Sequence, residues 1–174
     1  MRALNSKLLK KFLKRASEDL TGEWLLVGGT LLPALGIDAR ATVDIDLINL
    51  KSNDNNNLIQ LMKLADNLKL PIESINQAAA YFLKDIKYSQ SDLFILSKGK
   101  KAIIYRPSLA LYWKLKIPRL TESDLLDCQH YFDFCKSQSE IKNTGPLKKF
   151  IQRQVQSSKN PSRTERLETL LDLL

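Results

Sequence analysis

Histidine and cysteine are close to missing from this chain, with one histidine and two cysteines in 174 residues. So few soft ligands exclude a structural Cys/His zinc site. Cys128 and Cys135 stand in a stretch with helical pattern, about two turns apart, too far to bridge. Both are expected to be reduced, half-buried side chains. No apolar run approaches the roughly 20 residues that a membrane-spanning helix needs. The N-terminal stretch lacks a signal-peptide pattern, and a cytoplasmic protein with no membrane partner is expected. No internal repeat is visible. His130 has no partner of catalytic kind at a readable spacing and is expected on a helix surface.

Acid is scarce relative to base. Against 27 Lys and Arg stand 19 Asp and Glu, a formal charge of +8. Arg2, Lys7, Lys10, Lys11, Lys14 and Arg15 all precede the first acid, Glu18. Lys136, Lys142, Lys148, Lys149, Arg153, Lys159, Arg163 and Arg166 crowd the C-terminal stretch, with Glu140 and Glu165 among them. Such faces attract phosphate-rich polymers through counterion release, so nucleic acid or an acidic protein is an expected partner. Hydrophobic content of 44% with 26% charged residues suits a globular domain, or one domain with a helical appendage.

Leu4, Leu8, Leu9, Phe12, Ala16 and Leu20 predict an amphipathic helix over 4–20, ended by Thr21-Gly22. Lys51 to Asn57 reads as a polar loop, and Leu58 to Leu68 as a crossover helix running up to Pro71. Residues 72–88 fit either helix or strand. Ser91 to Leu96 and Ala102 to Tyr105 read as strands joined by a turn at Lys98-Gly99-Lys100. Beyond them the pattern is helical: from Pro107 or Ser108 to Lys116, from a capping box at Thr121 and Asp124 to Lys136, from Gly145-Pro146, and from a cap at Ser162 with Glu165. The expected organisation is an α/β (α+β) protein, with a small mixed twisted sheet flanked by helices over 1–106 and an all-helical C-terminal part over 107–174.

The stretch Trp24 to Leu50 holds the chemistry. A short apolar strand, Trp24 to Val27, is stopped by Gly28-Gly29. Thr30 is placed to cap a brief helix with Pro33 in its first turn and Gly36 at its end. Val43 to Leu50 then alternates, which puts Asp44 and Asp46 on one strand face, about 6–7 Å apart along it. Two carboxylates so placed can hold one hard cation or a pair of them.

Gly28-Gly29-Thr30 followed by Arg40-x-Thr42-x-Asp44-Ile45-Asp46-Leu47 resembles the nucleotidyltransferase superfamily of the DNA polymerase β type. More narrowly, it resembles the AbiEii and MenT-like branch of bacterial toxin–antitoxin systems. The resemblance covers about residues 20–130. It implies magnesium-dependent (or manganese-dependent) transfer of a nucleoside monophosphate from an NTP to a hydroxyl. The acceptor it implies is RNA, tRNA above all, or a co-encoded toxin or antitoxin partner. Asp44 and Asp46 would be catalytic metal ligands, with Gly28, Gly29, Thr30 and Arg40 meeting the nucleotide. A third acid is expected on a neighbouring strand, and Asp92 fits it best, with Asp124 and Asp127 as alternatives. The segment Pro107 to Asp127 resembles the family's later Lys and Arg motif. That maps Lys114 to a catalytic, phosphate-binding role, with Lys116 competing for it, and Arg119 to a structural role or a triphosphate contact. A competing class is a catalytically silent module of the same fold that binds RNA or a cognate partner. A small-molecule transferase of the aminoglycoside-modifying kind fits the motif but leaves the basic ends unexplained.

Overall fold

A computed structural model describes residues 6–37, 41–51, 55–76 and 78–174. It separates into two compact units, Met1–Ser108 and Leu109–Leu174.

The first unit is built on a five-stranded mixed sheet. Its strands are β1 (Gly22–Val27), β2 (Ile45–Asn49), β3 (Ile75–Asn76), β4 (Leu93–Lys98) and β5 (Ala102–Pro107), in the order β3-β2-β1-β5-β4. β1 is the middle strand, antiparallel to β2 and parallel to β5. This explains its composition: Trp24, Leu25, Leu26 and Val27 are all buried, as a strand covered on both faces requires. The chain entering β2 instead alternates, with Asp44 exposed just before the strand, then Ile45 buried, Asp46 half-buried and Leu47 buried.

Helix α1 (Ser6–Asp19) lays Leu9, Phe12, Leu13 and Ala16 into the core, the stripe its spacing predicts. Helix α3 (Asn55–Asn67) links β2 to the parallel β3, and so forms the crossover unit. The ambiguous stretch resolves into a short 3-10 turn (Ile72–Ser74), β3 and helix α4 (Ala78–Leu83). Strand β4 is shorter at its start than the sequence suggests. Gln90–Asp92 form a 3-10 turn, with Asp92 closing a capping box on Ser89.

The second unit is helical: α5 (Leu109–Lys116), α6 (Glu122–Ser137), α7 (Gly145–Ser157) and α8 (Pro161–Leu173). The capping box at Thr121 and Asp124 is present on α6. The cap expected at Ser162 is not. Asn160 accepts from the Arg163 N–H, because Pro161 takes the first helical position, where no N–H is needed, and moves the start back. Tyr112 and Tyr131 pack with ring centroids 4.5 Å apart, and the Trp113 indole donates to the Cys128 carbonyl at 3.1 Å. Helix α8 closes the end of α5. Arg163 and Arg166 donate to the carbonyls of Ile117 and Leu120, in the turn that follows α5. Cys128 and Cys135 are free and fully buried, and burial pushes the Cys128 thiol well up. Among the described residues no helix is long and apolar enough to cross a membrane.

Candidate functional site

In the α/β unit the glycine turn and the acid pair meet. Antiparallel pairing sets Val27 opposite Asp46, so the residue after β1, Gly28, lies beside the Asp46 side chain. Gly28 has φ +72, a backbone conformation that residues with a Cβ rarely adopt. A Cβ there would overlap Asp46 Oδ2 and lie 2.8 Å from Asp46 Cγ. Glycine is therefore required twice over, once by the turn and once by the carboxylate filling the space above it.

Thr30 fixes the other side of this arrangement. It sits at the N-cap position of α2 (Leu31–Ala34) with helical angles, and its side chain makes no cap hydrogen bond. The buried hydroxyl instead donates to the main-chain carbonyl of Asp44. The expected cap is thus replaced by a tie between the turn after β1 and the entry of β2. The reason is that Thr30 itself has helical rather than extended backbone angles, so its oxygen is not presented to the N–H groups of the first turn. With its hydroxyl on that carbonyl, Thr30 acts on the acids through the backbone. Gly36 has φ +86 and closes α2 as expected.

Asp44 is exposed and Asp46 half-buried, separated by the buried Ile45. The donor set is two carboxylates, and among the described residues no cluster of three or more His, Cys, Asp or Glu side chains surrounds them. Two carboxylate oxygens suit magnesium, which is held by one or two carboxylates when substrate phosphates and water supply the remaining ligands. Along the same strand, a cleft of about 280 Å³ opens beside Ile48, lined also by Lys51, Leu83, Lys84 and Tyr88.

Asp92 is not on a strand next to the acid pair. β1 and β5 lie between β2 and β4, three strand spacings of about 4.8 Å each. The Asp92 carboxylate is held locally, accepting from the Ser89 N–H at 2.9 Å and the Ser108 hydroxyl at 2.8 Å. The outer neighbour of β2 is β3, which places Asn76 opposite Asp46. Asn76 turns its side-chain oxygen to the Ala78 N–H, starting α4. Register alone finds this residue; the sequence offers no pattern over 72–77 that singles it out. Arg40 lies outside the described residues.

The later motif lies in the helical unit. Lys114 is half-buried on α5, while Lys116 is buried and bonded to Asp124 Oδ1 at 2.9 Å and to Asp127 Oδ2 at 2.8 Å. Arg119 grips Asp124 with two nitrogens, at 2.9 and 2.8 Å. Burial favours the neutral Asp124 carboxyl, but the bonds from Arg119, Lys116 and Thr121 outweigh it and hold the group well below the usual carboxylate range. Two cations and two anions thus form a charge-balanced network at the α5–α6 junction, buried except for Arg119, whose side chain is 71% exposed. His130 is exposed on α6, with Asp133 one turn on.

Compared with known proteins, the chain matches no family model, no curated protein and no solved structure.

Proposed function

We propose that the α/β unit is a nucleotidyltransferase, moving a nucleoside monophosphate from an NTP to an acceptor hydroxyl on RNA (tRNA above all) or on a co-encoded partner protein. The observation that carries this reading is the seating of Asp46 against Gly28. A turn and an acid pair separated in sequence are brought into one place, and the turn is kept bare of side chains there. Asp44 and Asp46 would hold magnesium together with the triphosphate oxygens. Bound there, the metal supplies charge neutralisation at the phosphoryl group being transferred. The chain's own part is placement. The absence of side chains at Gly28 and Gly29 lets phosphate oxygens approach the backbone, and the Thr30 tie keeps Asp44 from swinging away. The cleft beside Ile48, lined by Leu83 and Tyr88 as well as Lys51 and Lys84, offers room for part of the nucleotide. The setting implied by the motif is toxin–antitoxin biology.

One observation favours the catalytically silent alternative. An amide, Asn76, rather than a third acid faces Asp46 from the adjoining strand. Radiolabelled NTPs offered singly with total tRNA, or with a co-encoded protein, separate the two. The transferase reading expects label on the acceptor with wild type and none with Asp46→Asn. No transfer by wild type to either acceptor would leave the binding module.

A further inference from the structure

Two basic runs far apart in sequence become neighbours in the α/β unit. On α1, Lys7, Lys10 and Lys14 follow the i, i+3, i+7 stripe, with Lys11 beside them, opposite the buried Leu9, Phe12 and Ala16. All four lysines are exposed. Ser17 continues the same stripe one turn beyond Lys14. The β4–β5 turn sits on Ser17. A Cβ on Gly99 would overlap the Ser17 carbonyl and lie 2.8 Å from its Oγ, and the Ser97 hydroxyl donates to Ser17 Oγ at 3.2 Å. The turn carries Lys98, Lys100 and Lys101, all exposed. Contact between Gly99 and Ser17 therefore joins both groups into one surface. Among the described residues none of these seven lysines forms an ion pair, whereas Arg15, one turn beyond Lys11, is held by Asp19 at 3.7 Å. The acids of α1 itself are Glu18, one turn beyond Lys14, and Asp19.

We propose that α1 and the β4–β5 turn together bind the phosphate backbone of RNA. A row of exposed lysines not engaged in ion pairs is open to a polyanion, and phosphate contacts by such a row release counterions without reading sequence. The proposal rests on the transferase reading only for its choice of RNA among polyanions. The C-terminal candidates are poorer: Lys148 is half-buried, and Arg163 and Arg166 on the neighbouring α8 are already engaged by Gln154 and by main-chain carbonyls.

Binding of a short single-stranded RNA of mixed sequence, in EDTA and without nucleotide, tests it over a range of salt. The Asp46→Asn protein serves as parent, so the result does not depend on catalysis. Replacing Lys10, Lys14, Lys98 and Lys100 with Gln should flatten the log–log salt slope by about 0.7 per lost contact, so roughly 2–3 in all. Unchanged circular dichroism and melting would show that these surface changes leave the fold intact. Gly99→Val, which lifts the turn off Ser17, should lower the slope by a smaller amount. A slope equal to the parent's in the quadruple variant overturns the proposal. So does a loss confined to Lys148, Lys149 and Arg153→Gln, or binding to anionic vesicles without binding to RNA. A wild type that binds RNA through these lysines yet transfers nothing would reject the transferase reading and leave this surface standing.

Discussion

Asp124, in the helical unit, is fully buried and accepts from Lys116, Arg119 and Thr121, whereas Asp46, in the α/β unit, stands half-buried against the Gly28 turn with the exposed Asp44 two residues before it. Both carboxylates come from motifs that resemble one family's functional segments. Their surroundings assign them different work. Around Asp124 the opposite charges are already present and in contact, and a network that neutralises itself has little charge left for a ligand. Asp44 and Asp46 stand two residues apart at the entry of β2, with Asp46 seated against a turn that carries no side chain there. On the proposed reading, the buried network is architecture and the acid pair at the glycine turn is the metal site.

The largest effect should come from opening the charge-balanced network. Lys116→Met leaves Asp124 and Asp127 buried without the cation that bridges them. The expected loss is about 3–5 kcal/mol of stability, the usual cost of removing one partner of a buried pair. Lys114→Met, two residues away and half-buried, should change stability by less than about 0.5 kcal/mol. Urea denaturation of the two variants checks this. Equal losses would dissolve the distinction between these lysines.

That distinction was not legible in the sequence. Lys114 and Lys116 flank one leucine on a helix whose buried residues point in several directions, so helical periodicity could not say which lysine turned inward. The partners of Lys116 lie on the next helix, and their choice depends on packing. Where local rules suffice, more could be read. The mixed sheet, the crossover helix and the helical second half follow from apolar spacing, glycine and proline. The Thr121 capping box needs only four consecutive residues. Asp92 failed as a strand neighbour of the acids because strand order is non-local: β5, later in sequence, inserts beside β1 and pushes β4 to the edge. Pairing register likewise hid Asn76, and the Thr30 hydroxyl found an acceptor across the sheet that no single-segment pattern contains.

A smaller effect should appear on acidification. Folding holds the Asp124 carboxyl below its unfolded value of about 3.9. A lowered pKa contributes stability that is present above the unfolded value and lost as pH falls through it toward the folded one. Melting temperature should therefore drop between about pH 5 and pH 3 more steeply in wild type than in Asp124→Asn, which starts lower at neutral pH. Glu23, lowered by its bond from Lys51, acts with the same sign in both proteins and cancels from the difference. Parallel curves would mean that the carboxylate is not held by its charged partners.

The contrast between the two acids is tested most directly at Asp46. Manganese is titrated into the protein with a nonhydrolysable NTP present, and bound metal is read by electron paramagnetic resonance. Wild type should bind metal in a nucleotide-dependent way, and Asp46→Asn should lose most of that binding while keeping its melting temperature within a few degrees. Nucleotide-dependent binding that is unchanged in Asp46→Asn would contradict the account.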